Sequence, residues 1–120
     1  MPEQHVIESR PLNGLAADRH EKIALRFERL AAEWREQHRA MSSVTEMSML
    51  PSYQQIIGLG EDAIPMILRE LKAEGGEPDQ WFWALRAIAE VNPVPPADQG
   101  DFVKMAQAWI KWGESEGYAR

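Results

Sequence analysis

Ile23, Phe27, Leu30, Trp34 and Met41 recur at intervals of 4, 3, 4 and 7, the spacing that lines one face of an α-helix. Arg and Glu occupy the positions between them, and Asp18 with Glu21 has the spacing of a capping box. The pattern predicts a long amphipathic helix over residues 18–41. Upstream, Pro2, Pro11, Asn13 and Gly14 break any sustained period, so residues 1–17 read as a flexible arm that Val6, Ile7, Leu12 and Leu15 could pin to a neighbouring surface.

Ser42-Ser43-Val44-Thr45 ends that helix and leads into a loop or a second cap, because short hydroxyl side chains compete with the helical backbone for hydrogen bonds. Met41, Met47, Met49 and Leu50 then supply flexible apolar groups suited to core gaps. Pro51 fits the first turn of a short helix filled by Tyr53 to Ile57, with Gly58 and Gly60 as its stop. A further helix is predicted from Glu61 or Asp62 to about Glu74, with Ile64, Ile67, Leu68 and Leu71 inward and Pro65 in the first turn. Glu77-Pro78-Asp79 opens the next, in which Trp81, Phe82, Trp83, Leu85, Ile88 and Val91 load more than one face and predict a central helix. The run NPVPP at 92–96 cannot continue it and forms a stiff connector. Asp98 or Asp101 caps a last helix carrying Phe102, Met105, Trp109 and Trp112, with Gly113 closing it. Five helical segments result, in a single helical domain over residues 18–113 with a C-terminal tail at 114–120; the fold class is all-α.

Charge narrows the choice of partners. The net charge is −6 in 120 residues. Residues 1–40 carry seven basic and seven acidic side chains, residues 41–120 six and twelve. The acidic body repels phosphate backbones, since nucleic-acid binding draws on Lys and Arg displacing counterions. Arg19, Lys22, Arg26 and Arg29, spaced 3, 4 and 3, form one local basic stripe; it reads as a solvated helix flank, or alternatively as the contact of a nucleic-acid accessory protein. The chain has no cysteine, which excludes disulfides, thiolate metal sites and a cysteine nucleophile. No apolar run approaches the roughly 20 residues of a membrane span, and the start lacks a basic region followed by an apolar one. A cytoplasmic protein with no membrane association is the expectation.

The run GEDAIPMILREL at 60–71 resembles the inner part of a HEAT-type helical repeat, and residues 79–88 resemble the first helix of the following repeat. The resemblance implies antiparallel helices stacked side by side. With no third copy, it implies a compact HEAT-like bundle instead of a long array. The segments PSYQQIIG at 51–58, WFWAL at 81–85, NPVP at 92–95 and WIKWG at 109–113 are similar to those of small uncharacterised bacterial and phage-associated proteins, a family that implies no activity.

Catalytic patterns are weak. His5, His20 and His38 are too far apart for a metal clip within one helix, Ser42 and Ser43 lack a nucleophile-elbow context, and Glu61, Asp62, Asp98 and Asp101 sit where helix N-termini favour carboxylates. No catalytic residue, metal or cofactor is assigned; an enzyme would need a discontinuous carboxylate site made by the fold. The indoles say more. Trp81 and Trp83 point about 200° apart on a helix, so both cannot face one core: one is buried, and the other either lies under the proline connector or anchors a partner. The expected function is therefore a non-catalytic adaptor or regulatory subunit of a larger protein. It would bind another protein through Trp81, Phe82, Trp83, Glu90, Trp109 and Trp112, with self-association as a further outcome.

Overall fold

A computed structural model describes residues 12–118, with side chains from Ala17 onward. Among these residues the fold is all-helical: α1 (Leu12–His38), α2 (Val44–Met49), α3 (Pro51–Gly58), α4 (Ala63–Glu74), α5 (Phe82–Ala89) and α6 (Phe102–Ser115). Two short 3₁₀ turns, Gly60–Asp62 and Pro96–Asp98, join them. There are six α-helices where the sequence predicts five segments, because Ser43 starts a helix of its own. Its Oγ accepts from the Glu46 amide at 3.2 Å, satisfying one of the donors a helix start leaves open.

The long helix lies earlier than expected. It runs from Leu12 to His38, not from 18 to 41: the last residues of the predicted arm are helical, and residues 1–11 lie outside the described residues. Asn13-Gly14 reads locally as a turn, yet extending an existing helix adds one hydrogen bond per residue without a new nucleus. Phe27, Leu30, Ala31 and Trp34 are its buried stripe, and Ile23 is half-buried.

The central helix is α4, not α5. Ala63, Ile64, Met66, Ile67, Leu68 and Leu71 are all buried, whereas α5 buries Phe82, Ala84 and Leu85 and leaves Trp83 exposed. Gly113 does not end α6 but lies within it, buried. A Cβ there would come within 2.3 Å of the Leu68 side chain, so the missing methyl is what lets α6 approach α4. The stop is Gly117, at φ 85°, in a Schellman arrangement: Tyr118 N donates to Gly113 O at 2.8 Å and Gly117 N to Glu114 O at 3.2 Å. The residues predicted as a C-terminal tail are thus anchored as far as Tyr118, which stacks on Trp112 with ring centres 5.5 Å apart and donates to Glu61. Asp101 provides the α6 cap, accepting from Lys104 N at 3.2 Å.

An aromatic cluster joins α1, α3 and the start of α5. Trp34 lies 4.9 Å from Tyr53 and 4.7 Å from Trp81 between ring centres, and Phe27 lies 5.9 Å from Trp81. Burying each such side chain contributes roughly 1.5–3 kcal/mol. The polar atoms are matched. Trp34 Nε1 donates to Met47 O at 2.9 Å. Tyr53 Oη donates to Gln80 O at 2.9 Å and accepts from Ala84 N at 2.8 Å, and its burial pushes the phenol well above its usual range.

Candidate functional site

Two polar or aromatic concentrations stand out. The first is a belt around Trp81 that no local sequence signal announces. Glu74 accepts from Trp81 Nε1 at 3.0 Å and from the Asp79 amide at 2.9 Å, and Arg35 pairs with Glu70 and lies 3.7 Å from Glu74. The Arg35 guanidinium also sits 5.6 Å from the centre of the Trp81 ring. His38 meets Asp79 at 3.1 Å. Carboxylates therefore do converge, but on structural tasks: fixing the entry to α5 and providing an acceptor for a buried indole. No group of three His, Asp or Glu side chains suited to a metal occurs among the described residues.

The second concentration is a groove of about 550 Å³ between α5, the proline connector and α6. Phe82, Trp83, Met105 and Trp109 line its apolar part, with Val44 at the start of α2. Gln80, Arg86, Asn92 and Gln99 supply its polar groups, and no carboxylate lines it. Trp83, Arg86, Ala87 and Glu90 are exposed along one side of α5 at the spacing of a single helical stripe. Glu90 caps the helix in a left-handed conformation (φ 61°, ψ 28°), its amide donating to Arg86 O at 2.9 Å. The helix stops there, short of the predicted Val91, because Pro93 disfavours helical geometry at Asn92.

The six predicted partner-contact residues divide. Trp83 is 42% exposed and Glu90 lies on the surface. Trp81 and Trp109 are fully buried and Phe82 nearly so. Trp81 is removed from the contact set because α1 covers it with Phe27 and Trp34; Phe82 and Trp109 are presented only as groove lining. Trp112 is half-buried, edge-on to Trp109 at 5.2 Å. It also corrects the expectation for the connector: Trp112, not Trp83, shares a shallow cavity with Pro93 and Pro95.

One feature of the groove escaped sequence reasoning. Trp109 Nε1 is buried and has no hydrogen-bond acceptor among the described residues, in contrast to the indole nitrogens of Trp34 and Trp81. No periodicity distinguishes a satisfied indole from an unsatisfied one. The basic stripe Arg19, Lys22, Arg26 and Arg29 is exposed along α1, as its spacing predicts. No helix is long and apolar enough to cross a membrane among the described residues. No protein-family model, curated protein or solved structure matches this chain. The HEAT-like and phage-associated resemblances accordingly rest on residue pattern alone.

Proposed function

We propose that this protein is a non-catalytic interaction module that binds a segment of a larger protein in the α5–α6 groove. The observation that carries this reading is Trp83: a large indole held 42% exposed at a groove already lined by Phe82, Met105 and Trp109. Trp is the residue type most enriched where a few side chains dominate binding, and such anchors work beside apolar floors that exclude water. The groove offers neither a carboxylate pair nor a histidine or hydroxyl nucleophile among its lining residues. The carboxylates that do converge, at Arg35 and Trp81, are engaged with one another's neighbours.

The test is affinity capture from the native cell, identification of the captured protein, and reconstitution of the pair from purified components. Trp83→Ala should weaken the reconstituted complex at least tenfold. Leu25→Ala, on the exposed side of α1, should leave it unchanged. Equal binding by the Trp83 variant would remove the groove from the interface. Salt-sensitive duplex DNA binding, lost in the Arg26→Ala/Arg29→Ala double variant, would transfer the function to the α1 stripe.

A further inference from the structure

The chemistry of the groove lining selects a class of occupant. In a chain with nineteen acidic and thirteen basic side chains, no carboxylate lines this groove and one cation, Arg86, does. Arg86 forms no ion pair among the described residues. Its neighbour one turn on, Glu90, lines a separate cavity with Glu61 and Glu116. Trp109 contributes ring surface to the groove floor, while its indole N–H is buried out of reach with no acceptor among the described residues. The charge that a ligand can reach in this groove is therefore the Arg86 guanidinium, and a ligand carrying a carboxylate complements it. Asn92 Oδ1 accepts from Val94 N at 3.2 Å and Gln99 Nε2 donates to Val94 O at 3.5 Å; the capacity left on these two amides and on Gln80 includes both donors and acceptors, which matches the alternating N–H and C=O groups of an extended chain better than an inorganic anion, which donates nothing.

Resting on the interaction role proposed above, we propose that the groove receives an extended acidic peptide segment of another protein. An apolar side chain of that segment packs against Phe82, Trp83 and Met105, and a carboxylate beside it is met by Arg86. The aromatic floor holds the segment, and the guanidinium fixes its carboxylate at short range, within a body whose net negative charge gives no long-range attraction.

Two acetylated, amidated decapeptides serve as probes, identical except that a central Leu-Phe pair is flanked by Glu in one and by Lys in the other. They are titrated against the full chain at low salt, with the indole N–H resonances followed by NMR. The acidic peptide should shift the Trp83 and Trp109 signals and bind about fivefold more tightly than the basic one, the range set by a partly exposed ion pair. Arg86→Glu should reverse that order. Arg86 is exposed, so this variant keeps the fold, and an unchanged NMR spectrum outside the groove verifies it. Equal affinity for the two peptides, an order that survives Arg86→Glu, or shifts confined to residues away from the groove would each overturn the proposal. If no probe binds while the reconstituted partner still depends on Trp83, the acidic-segment assignment falls and the interaction role stands. If the acidic peptide binds but Trp83→Ala leaves the reconstituted complex intact, the interaction role falls instead.

Discussion

Trp81 and Trp109 are both fully buried indoles, yet the molecule treats them differently. Around Trp81 each polar group has a counterpart: Glu74 takes the indole proton, Arg35 balances Glu74 and Glu70, and Asp79 ties His38 to the start of α5. Around Trp109, among the described residues, the indole nitrogen has no acceptor, Arg86 of the same groove has no ion-pair partner, and another indole stands out to solvent. A region in which the Trp34 and Trp81 indoles and the Tyr53 phenol are all hydrogen-bonded holds the fold together. A region left open in the same chain keeps aromatic surface in contact with water, and it is there that the proposed interaction would bury it.

The largest effect that distinguishes the two regions is expected from Trp34→Ala. Trp34 touches Tyr53 and Trp81 in the closed cluster, and its loss should cost about 3–5 kcal/mol in chemical denaturation. A cost below about 1 kcal/mol would mean that the cluster is not the centre of the fold. Next is Gly113→Ala, where the new methyl collides with buried Leu68; destabilisation of about 1–3 kcal/mol is expected from overpacking. This change acts on the α4–α6 contact that positions Trp109, so it should also broaden the Trp109 indole signal.

The indole nitrogens permit a more direct comparison. Trp81→Phe and Trp109→Phe remove nearly the same volume, but only the first strands a partner, the Glu74 carboxylate. Trp81→Phe should therefore be the more destabilising by about 1–2 kcal/mol, read from paired urea melts. Equal costs would show that Trp109 has an acceptor in solution, and the open character of the groove would lose its main support.

These contrasts explain what the sequence could and could not disclose. The α1 stripe, the Asp101 cap, the Pro51 start and the inward set of α4 are legible because each depends on residues within a turn or two of one another. The Arg35–Glu74–Trp81 belt and the His38–Asp79 pair bridge positions up to 41 apart, and no local spacing encodes them. Gly113 reads as a terminator because a glycine's close-packing role is set by the helix opposite it, here through Leu68. For the Trp81–Trp83 pair, helical geometry requires divergence, but only the path of α1 decides which ring is covered. Glu90 carries no glycine signal for its left-handed cap, so the apolar pattern runs on to Val91, two residues past the helix end at Ala89.

The smallest effect on stability is expected at Trp83, and it decides the most about function. With 42% of its surface exposed and its indole making no hydrogen bond among the described residues, Trp83→Ala should cost about 1 kcal/mol or less, near the range of surface substitutions. A fold-determining indole would cost several times more, as at Trp34. Thermal melts of the two variants side by side therefore separate retention of Trp83 for packing from retention for contact. Near-wild-type melting combined with loss of the reconstituted complex assigns this ring to recognition. A large drop in melting temperature would place it with Trp81, as part of the closed half of the molecule, and the groove would then be a by-product of how α5 and α6 diverge.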